Sequence, residues 1–392
     1  MAASRIYLDN AATSWPKPES VYQATDHYLR DCGAAAGRGL SSASADADRI
    51  VQRVRQSAAE LMNASTPESV LIGFNGTDVL NLALFGAVGE GDHVVTTDVE
   101  HNSVLRPLRA MADQRGIEIS HVACNAEGFV EIDEIRAACR PNTKLISLIH
   151  ASNVTGAIQP LADASAFTRE RGIGLLVDAA QSAGHVPIDL QQTPVDLLAT
   201  SGHKGLLGPL GTGLLVVAPA WRERLRPFRY GGTGTHSDVD VQPSESPQRF
   251  ESGNPNLPGL AGLAAGLDYV LETGVSAINC HEIALARRLV EGLRAIDGVR
   301  VIGDPSWERQ TGVVSFTVAH QDPRDVATLL DQAFGIECRA GYHCAPRVHR
   351  HLGTDSQGGT IRFSPGPFTT DTEIDTAIDA IGQIVETESE SN

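Results

Sequence analysis

Lys204 is one of only three lysines in the chain, with Lys17 and Lys144. It lies in Thr200-Ser201-Gly202-His203-Lys204-Gly205, directly after the apolar run Val195 to Ala199, which reads as a short buried strand. Gly205, Gly208, Pro209, Gly211 and Gly213 then turn the chain into a second apolar run, Leu214 to Val217. A lysine with small neighbours at the end of a strand is placed to be a desolvated amine. Burial disfavours its charged form, and a neutral amine attacks carbonyl carbon. A lysine that merely closes a surface turn would have the same local sequence, so other residues must decide.

Asp178 ends the strongest apolar run, Ile173 to Val177. A buried carboxylate costs several kcal/mol unless a cation or strong donors meet it. It reads either as a helix N-cap or as the partner of a protonated ring nitrogen. Asn75-Gly76-Thr77-Asp78 joins a strand candidate, Val70 to Phe74, to a helix from Val79 to Ala87. That turn is either an ordinary N-cap or an anion site, in which free backbone N–H groups, the helix dipole and the Thr77 hydroxyl face a phosphate. An amine at Lys204, a carboxylate at Asp178 and a phosphate cup at Gly76 and Thr77 are together the parts pyridoxal 5′-phosphate requires. His101 would then stack on the ring, and Asn153 and Gln181 would donate to its oxygen.

The elements that must position these groups alternate along the chain. Helical patterns at 19–31 and 44–63 flank a glycine-rich loop carrying Arg38. Strands at 93–97, 117–122, 144–149 and 173–177 alternate with helices near 104–115, 131–139 and 161–171, and the strand before Lys204 follows. This rhythm predicts an α/β fold, a mainly parallel sheet with helices on both faces, whose ligands sit beyond the carboxyl ends of the strands. Residues 227–259 are rich in Gly, Pro and Ser and read as a long irregular, functional or subunit-contacting connection. Helices over 260–297, the second from about His281 to Ile296, lead to a smaller α+β domain. Its strands are expected at 299–302, 312–318 and 360–364 and its helices near 323–333 and 371–386, with a frayed acidic tail from Thr387. The expected division is a large domain at 15–265 and a small one from 1–14 and 266–392.

The chain of 392 residues is 42% hydrophobic and 20% charged, ordinary for a soluble enzyme. A net charge of −17 argues against nucleic acid or anionic membrane as partner and permits a basic one. No signal-like or eighteen-residue apolar segment is present, and six cysteines are too few for a disulfide framework. A cytoplasmic location is expected.

Six stretches occur in a telling order: Tyr7 to Thr13, Glu100 to Ser103, His150 to Gly156, Val177 to Gln181, Ser201 to Lys204, and Arg339 to Pro346. Through them, from about residue 6 to 385, the chain resembles the class V aminotransferase superfamily of fold type I. Within it, the chain is similar to the cysteine desulfurase family, on the branch that includes selenocysteine lyases. The resemblance implies that Lys204 carries the cofactor covalently and that Asp178 keeps the pyridine nitrogen protonated. It places Ser201, His203 and Thr77 on the phosphate, Arg362 on the substrate carboxylate, and Asn10, Arg38 and Arg339 near the substrate. It also implies a homodimer and a sulfur-acceptor protein.

By the same resemblance, Cys344 takes sulfur from L-cysteine as a persulfide and releases L-alanine. Only a thiolate does this well, and His343, Arg339 and Arg347 are close enough in sequence to help ionise it. Cys338, His343, Cys344, His349 and His351 match no zinc spacing, and no metal is expected. Gly341 to Pro346 is rich in turn formers, which argues against Cys344 as a plain core residue. Cys32, Cys124, Cys139 and Cys280 read as structural. Two departures stand out. Asn254 replaces a threonine that reaches the neighbouring subunit's cofactor phosphate, and Ser41 replaces a histidine near the substrate. Eighteen positions separate Cys344 from Arg362, with no long insertion between them, which implies a sheltered persulfide. Selenocysteine lyase, aminotransferase and carbon–sulfur lyase chemistry remain alternatives.

Overall fold

The computed structural model describes residues 5–37, 39–235, 238–303 and 307–389. Its strands are β1 (Ile6–Tyr7), β2 (Val70–Gly73), β3 (His93–Thr97), β4 (Glu118–Val122), β5 (Thr143–Ile149), β6 (Gly174–Asp178), β7 (Leu197–Ser201), β8 (Gly213–Val217), β9 (Val299–Ile302), β10 (Val314–Val318), β11 (Ile336–Glu337), β12 (Arg339–Gly341) and β13 (Thr360–Phe363). The helices are α1 (Glu19–His27), α2 (Ser42–Leu61), α3 (Gly76–Ala87), α4 (Asn102–Arg115), α5 (Ile132–Ala138), α6 (Leu161–Arg171), α7 (Pro219–Arg222), α8 (Leu257–Thr273), α9 (Val275–Arg294), α10 (Pro323–Phe334), α11 (Val348–Leu352) and α12 (Asp371–Ser389).

Seven strands form one sheet in the order β2-β8-β7-β6-β5-β3-β4. The pairings from β4 through β3, β5 and β6 to β7 are parallel. Only β8 runs against its neighbours β7 and β2, so the sheet is mainly parallel, as the alternation of elements predicts. Every residue of β3, β6, β7 and β8 is buried. That is why these strands read as continuous apolar runs rather than alternating ones. Val54, Ala58 and Leu263 join the apolar cluster on one face, with Ile146 and Val177, and Leu80, Leu84 and Leu108 join that on the other, with Leu145 and Leu176.

A second, antiparallel sheet has the order β12-β13-β10-β9. Its apolar cluster combines Leu289, Phe316, Phe363 and Ile381 with Ile6 and Leu8 from the N-terminus. β1 pairs in parallel with β11, and Asp9 bridges to Ser364. The first residues of the chain are thereby brought beside β13.

The structure corrects two boundaries. α9 starts at Val275, well before His281, because only Gly274 separates it from α8. The β-branched and polar residues at its start have modest helix propensity, but Ile278 is buried and packing overrides propensity. α12 carries helix to Ser389 where a frayed tail is expected, and later residues lie outside the described ones. β11 and β12, two and three residues long, are too short to be legible as strands. No described helix is long and apolar enough to cross a membrane.

Candidate active site

The parallel strands deliver their carboxyl ends to one rim, and the loops there enclose a cleft. It is lined by Gly76 and Thr77 after β2, His101 after β3, Asn153 after β5, Asp178 and Gln181 at β6, and Ser201, His203 and Lys204 at β7. Arg339, His343 and Arg362 close it from the antiparallel sheet side. Eleven of the residues predicted from sequence for the site therefore line one cleft.

Lys204 sits on a tight turn held from several directions. Leu207 N–H donates to its carbonyl at 2.9 Å, as does the Ser14 hydroxyl at 2.9 Å, and Gly208 N–H donates to Gly202 O at 2.8 Å. Its pKa is lowered to about 8, first by burial and then by Arg362 and Arg339, against the opposing charge of Asp178. The ammonium has no hydrogen bond or ion pair with any described residue. Asp178 is 2% exposed, and one oxygen accepts from Ala180 N–H at 2.9 Å. Burial pushes its carboxyl up, while the Ala180 bond and Lys204 act against that. The N–H of Ala180 thus engages one oxygen of Asp178 only, and the residue lines the cleft.

His101 caps α4: its Nδ1 accepts from Ser103 N–H at 3.0 Å. Burial first, then Lys204 and the nearby arginines, lower its pKa to about 4, so the ring is neutral near pH 7. Ser103 also shares a 2.7 Å hydrogen bond with Thr77. Sequence reasoning gave Ser103 no role, although it stands in the same Glu100-to-Ser103 stretch. Asn75 caps α3 through Asp78 N–H at 2.9 Å, so the turn is an N-cap and its first helical N–H groups face the cleft rim. A Cβ on Gly76 would lie 2.4 Å from Ser201 Oγ, so any larger residue would push that hydroxyl from its present place between α3 and β7. His203 is also driven to about 4 by burial, Lys204 and Lys17, and its buried Nδ1 has no partner.

Asn153 donates from Nδ2 to the His343 carbonyl at 2.6 Å, while its buried Oδ1 is unpartnered. Gln181 donates to Ala11 O at 2.8 Å. Arg362 is 2% exposed, donating to Asp9 Oδ1 at 2.6 Å and to Asn153 O at 3.0 Å, with Nε unpartnered. Asp9 as the partner of Arg362 was missed; an acid inside the N-terminal motif was the available signal. Glu100 is fully buried, accepts from Thr97 Oγ1 and Ile149 N–H, and is raised to about 8 by burial.

Cys344 stands next to His343, with its Sγ 3.9 Å from Arg339 Nη2. Both His343 (φ 48°) and Cys344 (φ 60°) are left-handed, a state costing a non-glycine residue about 1–2 kcal/mol. Asn102 N–H donates to Cys344 O at 2.7 Å.

Cys344 adjoins the cleft through Arg339 without lining it, and three further predicted residues do not join this group. Asn10 is buried, but both ends of its amide are occupied, by Ser364 O and Trp15 N–H, and it does not line the cleft. It supports Ala11, which does. Asn254 is exposed and lines a different depression with Phe74, Arg229 and Glu251. Arg38 lies outside the described residues. Ser41 caps α2 through Ser44 N–H. No group of three or more potential metal ligands occurs among the described residues.

Residues 6–376 match the family model of class-V aminotransferases. The chain is 35% identical over 373 residues to a probable cysteine desulfurase of Methanothermobacter thermautotrophicus, covering 94% of this chain and 92% of that protein. A cysteine desulfurase of Thermococcus onnurineus, solved in its apo form, superposes with a TM-score of 0.91 at 33% identity, covering 98% of this chain and 95% of the other. The Escherichia coli cysteine desulfurase CsdA, in an S-sulfonic acid form, superposes with a TM-score of 0.88 at 28% identity, covering 98% and 95%.

Proposed function

The chain belongs to the class-V aminotransferase family, and from that premise we propose that it is a pyridoxal 5′-phosphate-dependent cysteine desulfurase acting as a homodimer. The observation that carries the reading is Cys344 beside Arg339, at 3.9 Å, with Arg339 lining the same cleft as Lys204. An aminotransferase needs no thiol there.

The residues present fit the cofactor. Gly76 clears space against Ser201 at the start of α3, and the buried atoms Asn153 Oδ1 and His203 Nδ1 lack protein partners. Thr77, Ser201, His203 and the N-terminus of α3 would hold the phosphate, and Asp178 the ring nitrogen. Neutral His101 offers a flat face without repelling a cationic ring. When bound, the group supplies an electron sink and a carbonyl that Lys204 engages.

The chain's own residues do the rest. Arg362, with a free Nε–H, binds the substrate carboxylate and so orients Cα toward Lys204. Lys204, whose pKa is near 8, moves a proton at Cα close to neutral pH. The Cys344 thiolate attacks the substrate sulfur. An S–S bond forms as the substrate C–S bond breaks, and the C–S electron pair stays on carbon, which takes a proton and leaves as alanine. A reducing thiol or an acceptor protein then removes the sulfane sulfur.

The test is to count alanine and sulfide from L-cysteine and a reductant, for the wild type and Cys344→Ala. Equal amounts from the wild type and neither from the variant are expected. Alanine from Cys344→Ala with selenocysteine alone would move the assignment to a selenocysteine lyase, and no alanine from either protein would end the desulfurase reading.

A further inference from the structure

Asp98 is a buried charge that the proposed reaction does not use. It follows β3 at the rim, with its N–H donating to Val122 O at 2.8 Å and its side chain 12% exposed. Three groups converge on its carboxylate. Arg347 Nε donates to Oδ1, His351 Nε2 lies 2.8 Å from Oδ2, and His121 Nδ1, from β4, lies 3.7 Å from Oδ1. Burial pushes the carboxyl up, but the bonds from Arg347 and His351 outweigh it and hold the pKa below the ordinary value.

The geometry extends to Cys344. Arg347 is the N-cap of α11 and His351 stands four residues later, so one carboxylate grips one face of this short helix at both ends. Only Ala345 and Pro346 separate that grip from Cys344. Ala345 and Val348 are fully buried, which makes the connection stiff. On the other side, Asn153 and Asn102 hold the carbonyls of His343 and Cys344. Between these fixed points lie two consecutive left-handed non-glycine residues, a conformation that persists only when its surroundings over-determine it.

We infer that Asp98 is a positioning residue for Cys344: through Arg347 and His351 it anchors α11, so that the left-handed turn keeps the sulfur beside Arg339. The inference rests on Cys344 as the sulfur acceptor. Asp98 does not line the cleft. Its role is to stop the turn relaxing to an ordinary backbone conformation that would carry the sulfur away.

The test compares Asp98→Asn, Arg347→Gln and the double variant with wild-type holoenzyme. Amide hydrogen exchange of residues 342–352 is read without substrate, and kcat and KM are read with L-cysteine. The expected result is faster exchange confined to 342–352 and a kcat lower by about tenfold or more. KM should stay within about twofold, the cofactor absorbance should be unchanged, and the double variant should be no worse than either single one. Arg347→Gln acts from the loop side and serves if Asp98→Asn fails to fold. Wild-type exchange and turnover in the variants would overturn the inference. Exchange rising throughout the chain, or additive losses, would also overturn it by making Asp98 a general fold residue. If wild type makes no alanine yet exchange changes only at 342–352, the anchor stands and the desulfurase reading falls.

Discussion

At the residue scale, environment converts ordinary side chains into reagents. Burial lowers the pKa of both Lys204 and Lys17 to about 8, but of the two only Lys204 lines the cleft. Only the neutral amine attacks a carbonyl, so in the apoprotein its fraction should rise tenfold per pH unit below about 8 and level above it. Recombination with pyridoxal phosphate, followed by absorbance, should show that profile. A rate still climbing at pH 10 would mean an unshifted amine, and Lys204→Ala should show no such absorbance. Arg362 carries two loads, since it lines the cleft and also holds Asp9. Arg362→Ala should therefore raise KM for the amino acid by about tenfold or more and cost about 3 kcal/mol in denaturant unfolding, because it strands a carboxylate. A variant with normal KM would show that the substrate carboxylate binds elsewhere.

At the element scale, the reagent lysine depends on two chain segments touching without side chains. A Cβ on Gly184 would sit 2.1 Å from the Gly205 carbonyl oxygen, and Gly184 has φ +85°. Gly184→Ala should thus push away the turn carrying Lys204, costing about 2 kcal/mol or more and lowering cofactor occupancy. Unchanged melting temperature and occupancy would mean that the turn adapts freely. This contact shows what a sequence discloses and what it hides. Asp178 and Lys204 were legible because strand ends of a parallel sheet share one rim, so a polar residue after an apolar run has a predictable place. The Asp9–Arg362 pair spans 353 positions and appears only when β1 pairs with β11, two strands too short to carry a pattern. Asp98 is likewise silent in Thr97-Asp98-Val99; β4 and α11 make it a hub by bringing His121, Arg347 and His351 to it. Asn10 is the converse case: its motif is visible in the sequence, and the fold then occupies both ends of its amide with backbone groups.

At the scale of the whole molecule, Asn254 poses a question that one chain does not answer. It is exposed, apart from the cleft, on the irregular stretch before α8, beside Phe74 and Arg229. If two chains pair as proposed and Asn254 takes the place of the threonine that the family resemblance puts on the neighbour's phosphate, each site is built from two chains. Asn254→Asp would bring a carboxylate toward the phosphate and should weaken cofactor retention by about tenfold or more. Lys204→Ala removes covalent capture in its own chain only. Mixing and reassociating the two variants should then create heterodimers in which one site has both Lys204 and a wild-type Asn254 donated across the interface. Cofactor absorbance retained after gel filtration should recover toward one wild-type site per heterodimer. If Asn254 acted within its own chain, no site in the mixture would hold both residues and nothing would be recovered. The measurement therefore separates a dimer that completes its active sites from one that merely joins two finished ones.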